Sequence, residues 1–261
     1  MCMDGGRLEL HQFLYSHYNE KVRWALDFKS VSHTRISHLP GPHMAAIRTL
    51  AGVSRTPILR VGGVVVAGSA DIIDVIEGHY PEPPLYPADA EPRKTALAVQ
   101  TFFDEEIAPA VSRVLFGELL KEPAYLCRML ASEKPLFTRL TYRATQPAIR
   151  QVMRRMMGID EGSVATARRT IRAGLDHVAA LAGPEGYLAG NRFTVADLSA
   201  AALLAPACNP PHPDMQFPQP RPARVDAWLN EWADHPGAAW VRSIYAKHRP
   251  QRVLPLRVAA N

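Results

Sequence analysis

Five prolines fall within positions 80–92, in YPEPPLYPADAEP. Proline lacks the amide hydrogen a helix needs and clashes with the preceding turn, so a helix cannot run through such a stretch. The segment divides the chain into two halves with different hydrophobic periods. A second such stretch, PACNPPHPDMQFPQPRP at 206–222, carries seven prolines and reads as a long ordered loop or lid inside the second half.

The first half mixes periods. Leu8-Glu9-Leu10 alternates as a strand does, and Val22, Ala25, Leu26 and Lys29 share one helical face. Ile58 to Val61 and Val64 to Ala67 are short β-rich runs separated by Gly62-Gly63, a two-residue hairpin signal. From Ser69 a helix places Ile72, Ile73 and Ile76 on one side. A weaker strand lies around Thr34 to Ile36. The coarse order is β-α-(β)-α-β-β-α, ending near His79.

After the proline segment nothing reads as a strand. Val99, Phe102, Phe103, Ile107, Val111 and Val114 keep helical spacing, with Pro109 as an expected kink. Further helices are predicted over 123–132, 146–157, 163–182, 195–205, 223–233 and 237–247. The predicted organisation is an α/β domain at 1–79, a linker at 80–92 and an all-helical domain at 93–261. One helix start is explicit in NRFTVADLSAAALL. Thr194 and Asp197 have capping-box spacing, and Phe193 and Leu198 that of a hydrophobic staple. Asp197 is therefore read as structural.

With 47% hydrophobic and 21% charged residues among 261, a soluble globular protein is expected. No apolar run approaches the roughly 20 residues that span a bilayer, and the first residues lack the pattern of a secretory signal. Cys2, Cys127 and Cys208 are odd in number and far apart, so no disulfide framework is expected and a reducing cytoplasm is the default. The net charge of +5 is dispersed; RQVMRR at 150–155 and ARRTIR at 167–172 read as solvated helix faces rather than a nucleic-acid patch. Neither nucleic acid nor membrane is expected as a partner. Positive potential near a cleft would draw small anions.

Three places carry candidate chemistry. Ser16, in LYSHYNEKVRWAL, stands where a strand gives way to a helix. It fits an ordinary N-cap, and equally a hydroxyl that donates to an anion at the helix start, such as a thiolate. In RTPIL, Pro57 precedes a strand. A cis Thr56–Pro57 bond would turn the backbone of Thr56 outward to pair with an extended peptide; most X–Pro bonds are trans, so the isomer stays open here. Ser69, in AGSADIID, is either a cap or a carboxylate binder beside helix amides.

Taken together, SHYNEKVRWAL, TPIL, the Gly-Gly hairpin, GSADII and FTVADL, with the proline linker between, resemble the cytosolic glutathione transferases. The likeness is strongest over 8–79 and 186–204. SHYNEKVRWAL is most similar to serine-type bacterial and fungal members, including the β-etherase-like branch. The resemblance implies a thioredoxin-like N-terminal domain followed by an all-α C-terminal domain, with glutathione as co-substrate and no metal. It implies that Ser16 hydrogen-bonds the glutathione sulfur, that Thr56 pairs its backbone beside cis-Pro57, and that Ser69 binds the γ-glutamyl carboxylate. His43 and Arg55 fall where relatives place contacts to the glycyl end. Gly68 departs from the pattern, since many members have Glu or Gln there. The family further implies a cytoplasmic homodimer active in detoxification. Its second substrate would be a hydrophobic electrophile, aromatic ones included.

The energetics are sufficient in principle. Lowering a thiol near 8.5 by about two units needs roughly 2.7 kcal/mol. One hydrogen bond to a charged acceptor supplies about 1.5–3 kcal/mol, and a helix N-terminus about 0.3–1 kcal/mol more. Thiol–disulfide exchange is excluded at this place, because Ser16 and Asn19 stand where it would need cysteines. Tyr15, Tyr18 and Phe116 are candidate walls of the electrophile pocket, with Tyr125 and Phe217 as further ones. Trp24 and Met153, Met156 and Met157 read as packing. A non-catalytic carrier of glutathione conjugates or aromatics, and an interaction module without ligand, are the alternatives to an enzyme.

Overall fold

The structure is a computed structural model and describes residues 8–131 and 134–251. The first domain is a four-stranded sheet in the order β2-β1-β3-β4, built from β1 (Leu8–Gln12), β2 (Thr34–Ser37), β3 (Ile58–Val61) and β4 (Val64–Ala67). β1 runs parallel to β2 and antiparallel to β3, and β3 and β4 form the hairpin that Gly62-Gly63 signals. Gly62 sits at φ 56°, a left-handed conformation that favours glycine. Alternation places Leu8 and Leu10 on a buried face, where α1 (His17–Phe28) contributes Val22 and Leu26 and α3 (Ser69–His79) contributes Ile72 and Ile76. Between β2 and β3 lies α2 (His43–Ala51), which buries only Ile47.

The second domain is helical throughout: α4 (Ala90–Phe102), a π-helical turn (Phe103–Ile107), α5 (Ala108–Leu119), α6 (Pro123–Ala131), α7 (Leu136–Met156), α8 (Glu161–Leu181), α9 (Val195–Cys208), a 3₁₀ turn (Pro213–Met215), α10 (Ala223–Asn230) and α11 (Pro236–His248). Every residue of α9 is buried, as its apolar, alanine-rich sequence requires. Its start is the expected capping box. Asp197 accepts from the amide of Thr194 at 2.8 Å and, beyond that, from the amide of Leu188 at 2.8 Å. Among the described residues no helix is long and apolar enough to cross a membrane.

The two domains share α1. Val22 and Leu26 face the sheet, whereas Trp24 and Ala25 belong to the core of the helical domain. Trp24 is fully buried and its indole N–H donates to the carbonyl of His248 at 3.0 Å.

Several boundaries differ from expectation for identifiable reasons. α4 begins at Ala90, inside the predicted linker, because Pro92 falls in its first turn, where an amide hydrogen is not needed. Instead of a kink at Pro109, the chain makes the π-helical turn directly before it, and Pro109 then sits in the opening turn of α5. α7 starts ten residues before the predicted 146 and runs through Pro147. α9 likewise runs through Pro206 to Cys208. The segment after α9 is not a lid, because His212, Asp214, Met215 and Phe217 are all buried. Met156, read as packing, is 70% exposed. Asp160 and Ser163 form a second capping box, at α8, that the periodicity did not reveal. Cys127 and Cys208 are free and buried; Cys2 lies outside the described residues.

Candidate functional site

Strand directions bring the candidate residues to one end of the sheet. His11 near the C-terminal end of β1 pairs with Ile58 at the start of β3, and Ile58 pairs with Ala67 at the end of β4. Ser16, Pro57 and Ser69 therefore leave the sheet from the same edge. α1 and α3 both begin there, so two sets of free helix amides and two positive dipole ends converge.

Ser16 occupies the N-cap of α1 with extended backbone (φ −95°, ψ 127°), but its hydroxyl makes no capping hydrogen bond. Half-buried, it is left available to another acceptor. The next three residues fix this corner. His17 is buried, with Nε2 3.1 Å from the carbonyl of Ala108 and 3.3 Å from Ser112 Oγ. Burial lowers its imidazole to about 4, so it is neutral at pH 7. Tyr18 donates its hydroxyl to the carbonyl of Asp104 at 3.2 Å. Burial and the Asp104 charge raise its phenol, which stays protonated. Asn19 donates Nδ2 to Thr56 Oγ1 at 3.1 Å, while its buried Oδ1 has no hydrogen-bond partner among the described residues. Lys21 is fully buried and paired with Asp104 at 2.6 Å, which makes it a structural cation rather than a group facing Ser16.

The Thr56–Pro57 bond is cis. The carbonyl of Pro57 accepts from the amide of Gly68 at 3.1 Å, tying the start of β3 to the start of α3. Gly68 is the N-cap of α3 at φ 105°, ψ 139°, and Ser69 is the first helical residue, buried and without the capping role considered for it. The φ of Gly68 is one that side chains with a Cβ rarely adopt, and a Cβ there would also meet the Asp71 carboxylate at 3.4 Å. Backbone geometry thus accounts for glycine at this departure from the family pattern. His43 is held on both ring nitrogens: Nδ1 accepts from the amide of Gly41 at 3.1 Å, and Nε2 lies 3.0 Å from the carbonyl of Ser54. Exposed Arg55 lies close enough to Tyr18 to act on its phenol.

A recess of about 20 Å³ opens beside Tyr15, among Phe13, Leu14, His38, Leu130 and Lys134, but Ser16, Tyr18, Thr56, Ser69 and Phe116 do not line it. Phe217 is buried, with its ring 5.6 Å from that of Tyr15 in an edge-to-face contact. Tyr125 is buried and donates to the carbonyl of Pro218 at 2.9 Å. Phe116 is half-buried against the helical core.

A second cluster clamps one face of α1. Glu20, Arg23 and Asp27 meet Arg35 of β2, Asp214 of the 3₁₀ turn and Arg249 after α11. Arg35 donates from Nη1 to both carboxylate oxygens of Asp214, at 2.8 and 3.0 Å, and from Nη2 to Asp27. Burial pushes the Asp214 carboxyl up, but Arg23, Arg35 and Arg249 outweigh it and hold the group at about 2. Glu20, Asp214 and His212 lie close enough to hold a cation. Three guanidiniums already balance the three carboxylates of the cluster, so the charge a metal would supply is present. Sequence reasoning missed this cluster, along with Asn19 and Asp104. The spacing of Glu20, Arg23 and Asp27 along one helix face was the available signal, but two of the partners, Asp214 and Arg249, lie far away in the chain.

Residues 10–84 match the family described as "Glutathione S-transferase, N-terminal domain", and residues 147–231 match "Glutathione S-transferase, C-terminal domain". A maleylpyruvate isomerase of Ralstonia sp is 31% identical over 117 residues, covering 44% of this chain and 55% of that protein. The match thus spans little more than half the relative's length. Among solved structures, a glutathione S-transferase of Methylobacterium radiotolerans in complex with glutathione sulfonate superposes with a TM-score of 0.59 at 20% identity, covering 97% of this chain and 100% of the other. The β-etherase of Sphingobium sp. strain SYK-6 does so with a TM-score of 0.59 at 18% identity, covering 92% and 99%.

Proposed function

Because the chain belongs to the glutathione S-transferase family, we propose that it binds glutathione at the sheet end beside Ser16 and activates it for attack on a hydrophobic electrophile. The observation that carries this reading is a Ser16 hydroxyl unused in capping at the sheet end where β3 and α3 also begin. Ser16 donates its hydroxyl hydrogen to the thiolate sulfur, and the α1 dipole adds to that stabilisation. The thiol proton leaves to solvent. Thr56, anchored by Asn19 through its hydroxyl, keeps its backbone free to pair with the cysteinyl unit. Ser69 and the first amides of α3 receive the γ-glutamyl carboxylate, as helix N-termini receive anions. His43 keeps the loop before Arg55 in place, and Arg55 supplies positive charge to the peptide's other end. Tyr15 and Tyr18 border the electrophile's approach. This reading includes a cytoplasmic homodimer and a role in detoxification.

Ser16→Ala tests it. Turnover with nitroaryl, epoxide and aryl-ether substrates is expected to fall about 10²-fold or more, with glutathione affinity near wild type. Unchanged turnover would remove Ser16 from the mechanism. The alternative reading is a non-catalytic carrier of glutathione conjugates. Tight S-hexylglutathione binding without turnover on any of these substrates would select it.

A further inference from the structure

Helix α7 is built unlike the other helices. Across 21 residues it buries only Tyr142 and Gln146. It contains five arginines (Arg139, Arg143, Arg150, Arg154 and Arg155) and no acidic residue. No salt bridge engages any of the five among the described residues. Five of the eight large hydrophobic side chains exposed among the described residues lie on it: Leu136 (67%), Phe137 (79%), Leu140 (58%), Val152 and Met156.

At 100° per residue these side chains sort into faces. Tyr142, Gln146, Ile149 and Met153 point to the protein. Leu136, Phe137, Leu140, Ala144 and Ala148 spread over the outward side, and Arg139, Arg143 and Arg150 form a stripe along its edge. Residues 120–157 carry eight cationic and two acidic side chains, a net +6 that exceeds the whole chain's +5. The remainder is therefore close to neutral, and the positive field belongs to this arm.

We propose that the outward face of α7 docks this protein onto an anionic lipid bilayer. Charge complementarity selects the occupant. Arginines without a salt bridge among the described residues border a strip of exposed apolar side chains, the pattern of a helix lying in the headgroup plane with arginines reaching phosphates and Phe137 and Leu140 entering the acyl boundary. The attachment is peripheral, in keeping with the lack of a spanning helix among the described residues, and it replaces the sequence-based expectation of no membrane partner.

The test is co-sedimentation of the full chain with vesicles of pure phosphatidylcholine and of phosphatidylcholine mixed with phosphatidylglycerol. Binding is expected only to the mixed vesicles and is expected to weaken as salt rises. Replacing Arg139, Arg143 and Arg150 together by Gln is expected to lower partitioning about a hundredfold, since each cation near such a surface contributes about a factor of five. Phe137→Ala with Leu140→Ala is expected to lower it about tenfold or more. Because the altered side chains are exposed or half-buried, melting temperature serves as the folding control. Equal binding to both vesicle types, no binding to either, or variants that bind as wild type would overturn the proposal. So would concentration-dependent self-association lost in the Phe137/Leu140 variant, which would assign the face to a second copy. None of these readouts depends on glutathione.

Discussion

Arg249→Met is a stringent test of how α1 is held. Arg249 is 3% exposed and bonds Glu20 at 2.8 Å, Asp27 at 2.7 Å and Asp214 at 2.8 Å. Its removal leaves three buried carboxylates facing Arg23 and Arg35 alone. A buried ion network can be worth little against an apolar replacement of the whole, but stripping one partner costs about 3–5 kcal/mol because a buried charge is left uncompensated. For a chain of this size that corresponds to a melting shift of about 6–20 °C. Calorimetry and urea unfolding would measure it. As a reference, Arg221→Met breaks the partly exposed contact to Asp226 at 2.6 Å and is expected to cost under about 1 kcal/mol. Adding Asp27→Asn to Arg249→Met restores charge balance and should recover part of the loss. A cost under about 1 kcal/mol for Arg249→Met, or no recovery in the double variant, would refute the account of the cluster as a charge-balanced clamp.

The same cluster sets a pH dependence. The Asp214 carboxyl is held at about 2, below its unfolded value near 3.9, so its contribution is present above about pH 4 and lost as pH falls toward 2. Melting temperature measured from neutral to acidic pH should drop over that window by an amount equivalent to about 2–3 kcal/mol, and less steeply in Arg249→Met; a flat profile would contradict the assignment. Gly68→Ala places a Cβ at φ 105° and is expected to cost about 1–3 kcal/mol. It should also weaken glutathione binding by displacing Ser69, which calorimetric titration would show; a variant as stable and as tight-binding as wild type would dissociate Gly68 from the site.

Legibility in the sequence tracks the range of the interactions involved. The β3–β4 hairpin and the α9 capping box are local signals, and both are found in the structure. Prolines misled where their position within a helix mattered more than their presence: Pro92 and Pro109 sit in first turns, and Pro147 and Pro206 are carried inside helices. Ser16, Pro57 and Ser69 could be picked out from the resemblance, yet their gathering at one edge needed the strand directions. The Asn19–Thr56 bond and the contacts of Arg249 join residues 35 to 229 positions apart, which no local pattern encodes. Phe217 and Tyr125 read as pocket walls because aromatics suit both roles; tertiary packing put them in the core.

The most direct test of the central claim is the ionisation of bound glutathione. Ultraviolet absorbance of the thiolate, recorded against pH, gives the apparent thiol pKa in wild type and in Ser16→Ala. Wild type is expected to hold it about two units below the free-thiol value near 8.5, and Ser16→Ala to return it most of the way with little change in Kd. A bound thiol that titrates as free glutathione does, or a depressed value that survives in Ser16→Ala, would contradict it.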